Sequence, residues 1–137
     1  MASSLENQIK QNIVSLLTTK LSDIGISINV VYLFGSHASG TATSTSDIDI
    51  AVLGNKKIPS IARWQLQSEL ADTLACDVDL VDLLSASTVM QHQVIHNGLC
   101  IYEVGNSTTT FEMQVMSMYQ HLNEERADIV AQFIMGQ

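Results

Sequence analysis

Gly35 and Ser36 close one apolar run, and ten residues later Asp47-Ile48-Asp49 opens the next. A glycine lets the backbone approach a ligand with no Cβ in the way. Successive N–H groups in such a turn form an anion nest, and the Ser36 hydroxyl adds a donor. Gly40 would let the intervening loop curl around the same anion. Side chains alternate across a strand, so Asp47 and Asp49 share one face, with Cα atoms roughly 6–7 Å apart. Two carboxylates so placed repel unless a cation sits between them. Hard oxygen ligands suit Mg²⁺, which binds one or two carboxylates together with substrate phosphates. The pattern also fits a plain loop followed by a strand carrying exposed acids.

A third acid bears on that choice. In Asp77-Val78-Asp79-Leu80-Val81-Asp82, Asp79 falls inside a hydrophobic strand, where an unpaired acid is costly. Asp77 shares its face at the strand start, while Asp82 has the opposite parity near the strand end. If this strand neighbours the one that opens at Asp47, three carboxylates converge, enough for a two-metal site.

The elements that must position these residues follow from periodicity. Ser3 and Glu6 form an S-x-x-E capping box, and Leu5, Ile9, Ile13, Leu16, Leu17 and Leu21 repeat at helical spacing. This predicts a helix over 4–22, stopping near Gly25. Ile26 to Phe34 is rich in β-branched and aromatic residues and reads as a strand, and 36–46 as a loop. A second strand runs from Asp47 to Leu53. Pro59 and Ser60 open a helix to about Ala75, with Ile61, Trp64, Leu66, Leu70 and Leu74 as its apolar positions. Asp77 to Leu84 is a third strand. Ser87 caps a helix that ends at Asn97-Gly98, and Leu99 to Val104 is a fourth strand. Residues 105–110 read as a polar linker and 111–135 as a long helix. The order α-β-β-α-β-α-β-α describes a small α/β sheet packed with helices, expected to form a single domain over 1–137.

The bulk composition narrows the function. The chain has 137 residues, 46% hydrophobic, with six Lys and Arg and a net charge of −8. So few cations argue against direct binding of nucleic acid through its phosphates. The balance suits a basic protein partner, or an anionic ligand brought in by divalent cations. The N-terminal residues have neither a basic region nor an apolar signal core, and no apolar run nears the roughly 18 residues of a membrane span. Cys76 and Cys100 match no zinc or redox spacing. The expectation is a cytoplasmic protein with reduced thiols.

Gly35-Ser36, ten residues and Asp47-x-Asp49 resemble the G-S-x10-D-x-D signature of the DNA polymerase β-like nucleotidyltransferases. Val78 to Leu83 (VDLVDL) resembles the strand that carries their third acid. The resemblance covers roughly 26–104, and by size the chain is similar to the minimal nucleotidyltransferases (MNT), more narrowly the MntA-type antitoxins of HEPN/MNT toxin–antitoxin pairs. It implies their fold, a mixed, largely antiparallel four-stranded sheet with helices. Gly35 and Ser36 would position a triphosphate, Asp47 and Asp49 would bind Mg²⁺, and Asp79 would join the metals and help deprotonate the acceptor. Two Mg²⁺ ions are implied, with ATP as substrate. The implied reaction moves AMP from ATP to a tyrosine hydroxyl of a cognate HEPN toxin, an RNase, silencing it within a hetero-oligomer. The chain departs from the common G-S-R-A-R-G loop: His37 and Ser39 stand where arginines are usual. Two other readings are a small-molecule nucleotidyltransferase of the aminoglycoside kind and a non-catalytic module that covers the toxin.

Four further features have less chemistry. His92 and His96 lie four apart on a helix with Cys100 beyond, a zinc-compatible spacing without an H-E-x-x-H pattern. Lys56, Lys57 and Arg63 form the one basic cluster, which could attract the nucleotide or an acidic partner but reads better as a solvated loop. Trp64 is expected in the core. The last helix is Met-rich, and either covers the sheet or presents its apolar stripe to a partner.

Overall fold

The computed structural model describes residues 2–35 and 47–135, excluding the side chains of 2–6 and 133–135. Helix α1 (Ala2–Asp23) buries Ile13, Leu17 and Leu21, spaced four apart along one face. Its end is set at Gly25, whose φ of 78° follows the Ile26 N–H bond to Leu21 O at 2.9 Å. The helix already begins at Ala2, so Ser3 lies within it rather than at its cap, and the side chains of the expected capping box fall outside the description.

Four strands follow: β1 (Ile28–Phe34), β2 (Ile48–Gly54), β3 (Val78–Asp82) and β4 (Leu99–Glu103). Their order in the sheet is β3-β2-β1-β4. β1 pairs antiparallel with both β2 and β4, while β2 and β3 run parallel. The sheet is therefore mixed and largely antiparallel, as expected. A parallel pair needs a crossover, and α2 (Ser60–Leu74) supplies it.

Alternation along the strands divides the core. Val31, Leu33, Ile50, Val52 and Leu80 pack beneath α1 and α2 with Leu17, Leu66 and Leu70. Val30, Tyr32, Ala51 and Leu53 face the other way, against Val94 of α3 (Thr88–Asn97) and Phe111 and Val115 of α4 (Ser107–Met135). No described helix is long and apolar enough to cross a membrane.

Three expectations are corrected. Trp64 and Ile61 are 63% and 74% exposed, because α2 buries only the face bearing Leu66 and Leu70. Much of the polar linker over 105–110 is helix: α4 starts at Ser107, where the Glu103 carboxylate accepts the Thr108 N–H at 3.2 Å. A side-chain acceptor at that point satisfies a free N–H of the first turn. Arg63, read as solvated, donates from Nη1 to Leu80 O at 3.0 Å, and Gln67 Oε1 accepts the Leu80 N–H at 2.9 Å. Both backbone groups of Leu80 on the edge strand β3 are thus held by α2 side chains.

Candidate active site

The acids are brought together by strand register. β2 and β3 enter the sheet side by side, with the Ile48 N–H bonded to Asp77 O at 2.9 Å. In the parallel ladder Ile48 pairs with Val78 and Asp49 with Asp79. Neighbouring strands lie about 4.8 Å apart, so Asp49 and Asp79 are adjacent on one face. Asp47 precedes β2 by one residue and has the same parity as Asp49. Asp47 and Asp79 are exposed and Asp49 is half-buried. The third acid is therefore not the buried carboxylate that the hydrophobic run suggested. It looks out to solvent from the edge of the sheet.

Among the described residues the buried acid is Asp82. It is 4% exposed, and three donors surround it. Oδ2 accepts the Ile58 N–H and the Ser85 hydroxyl, each at 2.9 Å, and Oδ1 accepts the Leu84 N–H at 3.1 Å. Asp82 ties the approach to α2 and the turn after β3 to the end of the strand that carries Asp79. Its parity, opposite to that of Asp79, was the sequence signal for a separate role.

Gly35 is tied to the acids in a way spacing does not reveal. Its φ is 75°, which favours glycine, and Phe34 pairs with Asp49 across the β1–β2 ladder. A Cβ placed on Gly35 would overlap Asp49 Oδ2. The carboxylate occupies the space a side chain would fill. Gly35→Ala should therefore displace Asp49 and cost about 1–3 kcal/mol in backbone strain. The check is thermal unfolding alongside nucleotide binding, with a larger loss in the second than the melting shift explains. Ser36, His37, Ser39 and Gly40 lie outside the described residues.

The donor set is all carboxylate oxygen on one open face, the chemistry that Mg²⁺ takes in preference to softer metals. Among the described residues, no three His, Cys, Asp or Glu side chains are gathered closely enough to grip an ion as they stand. Like charges brought into register repel unless a cation screens them. The glycine cradle around Asp49 and the Asp49–Asp79 pairing fit a cation that completes the cluster on binding. Asp79 also borders a shallow cavity of about 270 Å³ with Ser60, Arg63 and Ser85.

The histidine pair is not built as a zinc site. The His92 ring stacks on Tyr119, centroids 3.6 Å apart, and His96 lies at 4.2 Å. Packing, and then the charge of His96, push the His92 pKa down. Cys100 bonds to Tyr102 O at 3.4 Å within β4.

Residues 6–106 match the family described as Polymerase beta, Nucleotidyltransferase, from α1 to the end of β4. The chain belongs to this family. Within it, the nucleotidyltransferase is 47% identical over 103 residues to the protein adenylyltransferase MntA of Shewanella oneidensis, covering 75% of this chain and 74% of that one. A toxin–antitoxin crystallised with AMP-PNP superposes with a TM-score of 0.81 at 41% identity, over 91% of this chain and 98% of its own. A complex of the MNT antitoxin with the tri-AMPylated HEPN toxin of Shewanella oneidensis gives 0.76 at 38% identity, over 93% and 97%. The fold expected from the G-S and D-x-D motifs is thus the observed one.

Proposed function

We propose that this nucleotidyltransferase is an antitoxin that transfers AMP from ATP to a tyrosine hydroxyl of a cognate HEPN toxin in the cytoplasm, silencing it. The observation that carries the reading is the in-register pairing of Asp49 with Asp79, with Asp47 just before β2, on an open face of a nucleotidyltransferase sheet. The similarity to an adenylyltransferase and to an AMPylated toxin complex supports the choice of nucleotide and acceptor.

Asp47, Asp49 and Asp79 would hold Mg²⁺, which when bound supplies neutralisation of the triphosphate and of the charge that develops during transfer. The glycine at 35 leaves Asp49 its position, and the Gly35-Ser36 turn would seat the phosphates. The acceptor oxygen attacks the α-phosphorus in line. The new O–P bond forms as the bond to the bridging oxygen breaks, pyrophosphate leaves, and Asp79 takes the hydroxyl proton. An exposed Asp79 on an edge strand suits an acceptor carried by another protein, because a folded domain has to reach it. The chain supplies mainly placement and charge, the usual contributions to phosphoryl-type transfer.

The test is to mix the purified pair with and without ATP and Mg²⁺ and weigh the toxin by mass spectrometry. One or more added AMP groups, lost on chelation of the metal, is the expected result. Inhibited toxin of unchanged mass would overturn the enzymatic reading in favour of plain coverage.

A further inference from the structure

Helix α4 spans 29 residues, about 43 Å at 1.5 Å per residue. Its first turns are anchored: Phe111 and Val115 are buried, and Tyr119 stacks on His92. The apolar stripe continues at the same spacing through Met118 and Leu122, is interrupted by Glu125 and Arg126, and resumes at Ile129. Yet from 123 to 132 every residue is exposed, with Ile129 at 65%. The stripe that docks α4 on the sheet therefore runs off the end of the domain. A helical segment of that length is marginal in water without a packing partner. The flanks of this free end carry Glu125, which pairs with His121 at 3.0 Å, and Asp128, with Arg126 as the nearby fixed cation.

Two comparisons bear on what covers it. The family match ends at residue 106, just before α4 begins, so the helix lies outside the shared catalytic core. The toxin–antitoxin structures cover 91–93% of this chain, a breadth that has to include more than half of α4. At least the first part of α4 is thus shared with chains crystallised in toxin–antitoxin complexes.

We infer that the free end of α4 is a docking surface for the cognate HEPN toxin, separate from the acids. The inference rests on the function proposed above and adds the partner's surface to it. The fitting face on the toxin is an apolar groove, entered by Leu122 and Ile129, with basic side chains along its rim. A groove of about 600 Å³ beside Met118, lined also by Leu84, Phe111 and Gln114, continues the surface toward the body of the domain. Docking on α4 holds the toxin while its tyrosine reaches the acids, so the helix sets affinity and the strands set chemistry.

Two exposed substitutions test this without disturbing the core. Ile129→Glu puts a charge in the stripe, Glu125→Lys reverses its flank, and Ala127→Glu on the opposite face is the control. Calorimetric titration of the toxin without nucleotide should show at least tenfold weaker binding for Ile129→Glu and a smaller, salt-dependent loss for Glu125→Lys. Ala127→Glu should bind as wild type. In the transfer assay, Ile129→Glu should raise KM for the toxin and leave kcat unchanged. Wild-type binding by Ile129→Glu would overturn the inference, as would a wild-type chain that does not bind the toxin. So would sedimentation showing that the stripe pairs two copies of this chain while toxin binding is unaffected. Tight, stripe-dependent binding with no transferred AMP would leave the docking surface standing and remove the enzymatic reading instead.

Discussion

Asp49→Asn should lower AMP transfer by on the order of a thousandfold, the effect of losing several kcal/mol of charge stabilisation at the reacting phosphate. Asparagine has the shape of aspartate, so the cradle at Gly35 and the ladder pairing with Phe34 persist and the fold is kept. What disappears is one negative charge adjacent to Asp79. Asp47→Asn should behave in the same way, with less consequence for folding because Asp47 is exposed. Label transfer from α-labelled ATP to the toxin measures the loss, and calorimetry with the toxin alone should show unaltered binding. Transfer at the wild-type rate in both variants would rule out the carboxylates as the seat of the chemistry. The distinction between binding and transfer matters, since an antitoxin can act by covering its toxin as well as by modifying it.

Asp82→Ala should be the most damaging substitution for stability, at about 3–5 kcal/mol. It strands the Ile58 N–H, the Leu84 N–H and the Ser85 hydroxyl, each losing an acceptor in a buried or part-buried place. An unsatisfied buried donor costs about 1–3 kcal/mol, and three sharing one site do not add fully. A domain with a net stability of roughly 5–15 kcal/mol would lose a large share of it. Asp82→Asn should fall between, because the amide offers one acceptor oxygen where the carboxylate offers two. Urea unfolding, read as a shift in midpoint at constant slope, checks the order. If Asp82→Ala unfolds at the wild-type midpoint, the carboxylate is not the clamp its contacts describe.

The placement of the acids was legible because strands impose a period of two. Asp49 falls on the strand as expected and faces away from Ile48 and Ile50, whereas the strand starts one residue after Asp47 rather than at it. That β3 lies beside β2 in parallel, with Asp79 level with Asp49, depends on a crossover that no local pattern announces. The roles of Asp79 and Asp82 were harder to separate for the same reason. Both sit in one apolar run, and only the three-dimensional edge exposes the first and encloses the second. Trp64 shows the limit of hydrophobicity as a guide to burial: a helix has one face against the sheet, and large apolar side chains occur on the other. The start of α4 was missed because Ser107 to Thr110 are weak helix formers. Glu103, four residues before Ser107, offsets that weakness by accepting from the first turn.

The two bonds that α2 makes to Leu80 have a consequence for how a partner can approach. A sheet edge with open N–H and C=O groups invites another chain to add itself as a further strand. On β3 the Gln67 amide and the Arg63 guanidinium occupy the middle of that edge. The strand bearing Asp79 is therefore shielded at Leu80 from backbone augmentation by another chain. A partner that reaches Asp79 is thereby directed to the open face of the sheet, with side chains rather than backbone making the approach.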